Sequence, residues 1–77
     1  MHQHIPLDCL RTFVTLVNTG SFTKTGEEIG RTQAAVSLQI KRLEALLNAP
    51  LIVRGSGPLS LTDQGETLLS YARELLA

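Results

Sequence analysis

The sequence predicts a mainly α-helical fold: a three-helix core, a small two-stranded β ribbon and a longer final helix. Three observations carry this. Apolar residues recur at helical spacing in several separate stretches, most clearly Val36, Ile40, Leu43 and Leu47 at steps of four, three and four. Between the third helical stretch and the last, Leu51-Ile52-Val53-Arg54 and Leu59-Ser60-Leu61 flank Gly55-Ser56-Gly57-Pro58, the pattern of a short hairpin around a Gly/Pro turn. Gly20, Gly30 and Pro50 fall between the helical stretches, where chain breaks belong.

Taken in order, residues 1–6 read as a flexible lead-in. His2 and His4 near a terminus supply too few ligands for a metal site. A first helix starts at Leu7, with Leu10, Phe13, Val14 and Val17 on the same face as Leu7, and Gly20 as its C-terminal cap. Cys9 lies within it, without a second cysteine or a histidine close in sequence to activate it. Ser21 to Gly30 forms a short second helix capped by Thr23 and anchored by Phe22 and Ile29. Gly26 inside it costs roughly 1 kcal/mol against alanine, a cost that close approach of the next helix explains. A turn at Gly30-Arg31 leads into a third helix capped by Thr32, so the second and third helices make a helix-turn-helix. Pro50 ends the third helix. The hairpin that follows is a wing, or equally a flap that closes the core. Thr62 caps the last helix, Asp63 to Ala77, in which Leu68, Leu69, Ala72, Leu75 and Leu76 form a stripe too wide for a helix covered on one side. The expectation is that this helix packs on a second copy and that the chain is part of a longer one.

Composition limits the function. Seventy-seven residues make one small domain, near the lower limit for a self-sufficient core. With Phe13, Phe22 and Tyr71 as its aromatics, the core must be aliphatic. A single cysteine excludes an internal disulfide and fits a reducing compartment. No apolar run approaches the roughly 18 residues of a membrane span, and the start shows no basic-then-apolar signal. A soluble cytoplasmic domain is expected.

Net charge is zero, but its distribution is uneven. Arg11 and Lys24 against Asp8, Glu27 and Glu28 leave residues 1–30 at −1. Arg31, Lys41, Arg42 and Arg54 against Glu44 put residues 31–54 at +3, and Arg73 against Asp63, Glu66 and Glu74 puts residues 55–77 at −2. The positive charge therefore coincides with the third helix, whose outer face carries Ala34, Ser37, Leu38, Lys41, Arg42 and Ala45. Short side chains at the front of a helix allow close approach to base edges, and cations one or two turns on reach phosphates. An ordinary amphipathic surface helix shares part of this pattern. An enzyme does not fit: the sequence offers no metal-ligand cluster, no nucleophile with a base, no glycine-rich phosphate loop, and no cofactor is expected. A protein-interaction module fits the neutral overall charge and the outward Leu38, but not the placement of the cations.

Three stretches, LRTFVTLVNTGSFTKTGEEIG, RTQAAVSLQIKRLEALLNAPLIVR and LSLTDQGETLLSYARELL, together resemble the N-terminal DNA-binding domain of LysR-type bacterial transcriptional regulators. The resemblance covers nearly everything after Ile5, and its most specific part is the middle stretch. It implies a winged helix-turn-helix over residues 7–61 and the start of a linker and dimerisation helix over 62–77. An effector-binding domain, with any small-molecule effector, is then expected outside these residues. The implied partners are double-stranded DNA, as a palindromic operator, and a second copy of the chain. The expected DNA-binding residues are Thr32, Gln33, Ala34, Ser37, Leu38, Lys41, Arg42 and, on the wing, Arg54. Those expected in dimerisation are Leu68, Leu69, Ala72, Leu75 and Leu76. Several positions depart from the family pattern. Thr25-Gly26 stands where two alanines are usual, Ile52 replaces a phenylalanine, and Leu38 occupies a position often held by arginine or another polar residue. The wing tip GSGPLS lacks the extra basic residues common in relatives. Modest phosphate affinity per domain follows, so dimerisation matters more.

Overall fold

The computed structural model describes residues 4–53, 55 and 57–77. Among these, four helices follow one another: α1 (Leu7–Thr19), α2 (Phe22–Ile29), α3 (Gln33–Leu47) and α4 (Asp63–Leu76). His2 of the lead-in and Arg54 and Ser56 of the expected wing lie outside the described residues. The core is aliphatic around one phenylalanine: Leu10, Phe13 and Leu16 from α1, Val36, Ile40 and Leu43 from α3, and Leu51 are all fully buried. Ile52, Leu68, Leu69 and Ala72 close it from the other side.

Local signals set most boundaries. Gly20 caps α1 in the left-handed conformation, its N–H donating to the Leu16 carbonyl at 2.8 Å. Thr32 and Thr62 cap α3 and α4 as expected, accepting from the N–H groups of Ala35 and Gly65. The cap of α2 is Ser21, not Thr23: its hydroxyl accepts from Lys24 N–H at 3.1 Å, which starts the helix at Phe22. Helix α3 stops at Leu47 because Asn48 turns left-handed, while its N–H and that of Ala49 return to the Ala45 and Glu44 carbonyls. Pro50 then prevents any continuation.

Two expectations about packing change. Leu7 is 51% exposed, because the buried face of α1 runs through Cys9, Leu10, Thr12, Phe13 and Leu16, with Val14 and Val17 only half-buried. Ile5, assigned to the flexible lead-in, packs against the core, and Pro6 precedes the first turn of α1 with its carbonyl accepting from Leu10 N–H.

The hairpin is reduced. Among the described residues there is no two-stranded sheet, only an isolated antiparallel bridge between Ile52 and Leu61. Val53 N–H donates to the Ser60 carbonyl and Thr62 N–H to the Leu51 carbonyl. Pro58, with no N–H, cannot extend the ladder toward the tip. The segment is nevertheless fixed to α4. A Cβ on Gly65 would run into the Leu51 carbonyl, so only glycine lets the first turn of α4 lie against this chain.

Candidate nucleic-acid interface

The helix-turn-helix is held by a small polar hub at its entrance. Thr25 is fully buried, and its hydroxyl lies 2.8 Å from that of Thr19. The Thr19 hydroxyl also donates to the Ser21 carbonyl and accepts from the Ser21 N–H. These bonds satisfy Thr25 in an otherwise apolar setting, where an unpaired hydroxyl costs about 1–3 kcal/mol. Beside it, a Cβ on Gly26 would sit 2.5 Å from the Arg31 carbonyl oxygen. The close neighbour is therefore the backbone of the Arg31–Thr32 turn before α3. The departures at positions 25 and 26 thus belong together: one is pinned by its hydroxyl and the other makes room for the turn.

Helix α3 is divided cleanly. Val36, Ile40 and Leu43 are fully buried, while Gln33, Ala34, Lys41, Arg42 and Ala45 are exposed and Leu38 is 67% exposed. Ser37 is half-buried at the edge of this outer face. Ala34, Leu38, Lys41 and Ala45 follow one another at steps of four, three and four, so they form one outward row. Gln33 and Ser37 flank it on one side and Arg42 on the other. Thr32 is exposed at the head of the row with its hydroxyl oxygen engaged by Ala35 N–H. Seven of the eight expected DNA-binding residues therefore share one end and one face of a single helix; Arg54, the eighth, lies outside the described residues.

Three supporting residues owe their roles to partners that only the fold brings near. Gln39 is half-buried and reaches α1, where its amide donates to the Asp8 carboxylate at 3.3 Å and its carbonyl accepts from the Thr12 hydroxyl at 2.6 Å. Its place three residues after Val36 and four before Leu43 puts a polar group at the edge of the core stripe, which is the signal that could have found it. Glu44, the acidic residue of the basic segment, turns its carboxylate to the Leu51 N–H at 2.8 Å. The third is Gly65. Cys9 is buried, and desolvation pushes its thiol above the usual range, with the Asp8 carboxylate adding to the rise; the charges of Arg42 and Arg31 pull it the other way. A protonated, enclosed thiol is a packing group.

Among the described residues, no three His, Cys, Asp or Glu side chains are grouped to hold a metal, and no helix is long and apolar enough to cross a membrane. On α4, Leu68, Leu69 and Ala72 are buried in the chain's own core, and Leu76 packs partly against it. The stripe expected to face a second copy is thus largely covered by α1 and the Leu51–Ile52 segment. What remains outward is Leu75, half-exposed, together with Tyr71 one turn before it. Tyr71 also borders an open apolar groove of about 510 Å³ shared with Ile5, Leu47, Ala49 and Leu51.

The same order of elements occurs in known proteins. Residues 7–66 match the model of the bacterial regulatory helix-turn-helix protein, lysR family. The chain is 45% identical over 71 residues to a probable RuBisCO transcriptional regulator of Cyanidioschyzon merolae, covering 92% of this chain and 23% of that protein. It is 46% identical over 67 residues to the HTH-type transcriptional activator AmpR of Citrobacter freundii, covering 87% of this chain and 23% of the relative. It spans about a quarter of the length of these relatives. Among solved structures, the BenM DNA-binding domain in complex with benA site 1 DNA superposes with a TM-score of 0.88 at 39% identity, over 92% of this chain and 80% of that one. DarR of Vibrio fischeri in complex with DNA gives 0.89 at 32% identity, over 95% of this chain and 25% of that one. With its helix-turn-helix, its outward α3 face and these likenesses over nearly its whole length, the chain belongs to the LysR family of bacterial regulatory helix-turn-helix proteins.

Proposed function

We propose that this chain is the sequence-reading module of a cytoplasmic transcriptional regulator, binding double-stranded DNA with α3 in the major groove. The observation that carries the reading is the division of α3. A helix with three fully buried apolar residues behind it presents exposed Gln33 and Ala34 and half-buried Ser37 at its front, then exposed Lys41 and Arg42. This is the arrangement that lets base edges and phosphates be reached from one helix. Gln33 and Ser37 are the hydrogen-bonding readers, Ala34 allows close approach, and Thr32, Lys41 and Arg42 engage the backbone. The Ile52–Leu61 ribbon is the root of a wing whose Arg54 meets a phosphate or the minor groove.

Two copies act together in this reading. Tyr71, Leu75 and the exposed part of Leu76 provide the apolar surface for the contact, with Leu68, Leu69 and Ala72 stiffening the helix from behind. A two-fold pair would set its reading helices about one DNA turn apart, or a multiple of it, on a palindromic operator. Any effector would act through residues beyond this chain. Binding to a short duplex, followed by fluorescence anisotropy at two salt concentrations, tests the proposal. True phosphate contact gives affinity that falls steeply with salt, and Lys41→Ala and Arg42→Ala should each flatten the slope by about one unit. Binding that ignores salt would favour a protein-docking role for the same face.

A further inference from the structure

Helix α3 is seated on α1 by two kinds of contact with different consequences. Val36, Ile40 and Leu43 bury apolar area, and contact of that kind is non-directional. Gln39 supplies direction. The Asp8 carboxylate can only accept, so it fixes which end of the Gln39 amide faces it. The carbonyl end is thereby turned to the Thr12 hydroxyl, one turn further along α1. Held at two points on a neighbouring helix, Gln39 resists rolling of α3 about its own axis. It adjoins Leu38 and lies two residues from both Ser37 and Lys41. With side-chain tips roughly 5 Å from a helix axis, a roll of about 10° moves them by nearly 1 Å. That is enough to take a donor out of the hydrogen-bonding range of a base edge.

We propose that Gln39 is a positioning residue for sequence readout, clamping α3 to Asp8 and Thr12 so that its outer face meets the bases at one roll angle. The inference rests on the DNA-reading role proposed above. Phosphate attraction tolerates small rotations because long cationic side chains reach their partners from many angles, so the clamp bears on discrimination and leaves general affinity to Lys41 and Arg42. Removing it need not unfold the chain. The buried Thr12 hydroxyl keeps a second acceptor, the Asp8 carbonyl at 2.9 Å, and the exposed Asp8 carboxylate is left to water.

The test compares affinity for a duplex enriched by in vitro selection with the wild-type chain against a scrambled duplex of the same composition. Gln39→Leu should lower the ratio of the two affinities about five- to tenfold, as expected for loss of a net hydrogen bond or two. Thermal unfolding and scrambled-duplex affinity should stay near wild type. Gln39→Glu, which opposes two carboxylates, should lower the ratio as well. The double variant Asp8→Asn/Gln39→Glu should restore it, because the new amide at position 8 donates to the new carboxylate at position 39 and net charge is unchanged. A direct base contact by Gln39 would leave the double variant as poor as the single one. A merely structural role would lower thermal stability and both affinities together. Either result overturns the clamp, as does a Gln39→Leu chain that discriminates like wild type. If selection with the wild-type chain enriches no sequence, the DNA-reading role itself fails, and the clamp with it.

Discussion

Helices α3 and α4 are built alike and used differently. Each opens with a threonine whose hydroxyl accepts from a backbone N–H three residues on, and each has a face buried in the same core. Thr62 itself, however, is tied inward. Its N–H donates to the Leu51 carbonyl, its hydroxyl bonds the Pro50 carbonyl, and the next turn presses Gly65 against the Leu51 backbone. Around Thr32 the chain is open, with Thr32, Gln33 and Ala34 all exposed. The same capping device anchors one helix and presents the other. What distinguishes the presented end is its exposed residues: the turn before it is still bonded to the fold, Arg31 N–H donating to the Gly26 carbonyl, but Thr32, Gln33 and Ala34 stay open to solvent.

The largest effects should separate buried from outward leucine-type positions on both helices. Ile40→Ala in α3 and Leu69→Ala in α4 each empty a core site and should cost about 2–5 kcal/mol. Leu75→Ala, on the half-exposed side of α4, should leave the folding of a single chain within about 0.5 kcal/mol of wild type. Urea unfolding of the three variants measures this directly. An equal loss at Leu75 in dilute solution would mean that α4 is covered on both sides even in one copy.

The two close-approach glycines come next. Gly26→Ala must displace the turn before α3, and Gly65→Ala must displace the Leu51 chain. Each gains helix propensity of about 1 kcal/mol, yet forced displacement of backbone costs about 1–3 kcal/mol or more, so net destabilisation is expected at both. The two should differ in DNA binding at a temperature where both variants are folded. Gly26→Ala shifts the seat of the reading helix and should weaken binding and relax sequence preference, whereas Gly65→Ala, which moves the chain leading into the proposed wing, should weaken binding less and equally for all sequences. Equal effects on binding would blur the distinction between the two helices.

These contrasts also show what could be read from sequence. The caps at Gly20, Thr32 and Thr62 were legible because capping is decided within four residues. Ser21 and Thr23 are both good caps two residues apart, and the sequence alone favoured the wrong one. Periodicity placed Val36, Ile40 and Leu43 inside and Leu38 outside, because spacing fixes the phase of a helix. It does not fix how much of a stripe neighbouring elements cover. That is why Leu7 proved exposed, and why Leu68, Leu69 and Ala72, read as a surface for a second copy, fill the chain's own core. The contacts of Gln39, Glu44 and Gly65 were not legible, because their partners, Asp8, Thr12 and Leu51, are brought near only by the fold. The hairpin was legible as a turn between apolar segments, but among the described residues its pairing is limited to the Ile52–Leu61 bridge, because strand pairing depends on partners that a local pattern does not fix.

The two caps themselves should differ by a smaller amount. Thr32→Ala removes a single cap bond and should cost about 0.5–1 kcal/mol. Thr62→Ala also abandons the bond to Pro50 and should cost about 1–2 kcal/mol. If chemical denaturation ranks them in the opposite order, Thr32 carries contacts that bind the turn more firmly than its open surroundings suggest.

The smallest effect concerns Leu38, the most outward large apolar side chain on α3. Its 67% exposure means that truncation removes little from the core, so Leu38→Ala should leave thermal unfolding almost unchanged. Isolated surface leucines are common and need no special role. This one, however, stands in the outward row between Ala34 and Lys41, where a leucine can meet the 5-methyl group of a thymine in the major groove. Burying one methyl group is worth about 0.8 kcal/mol, roughly a fourfold change in affinity. Binding to a selected site should therefore fall by about that factor in Leu38→Ala when one half-site position is thymine. Replacing that thymine with uracil removes only the methyl, and should cost the wild-type chain the same factor while costing the variant nothing. Additive losses from the two changes would show that the leucine and the methyl do not touch, and Leu38 would then be an ordinary exposed residue on an otherwise reading face.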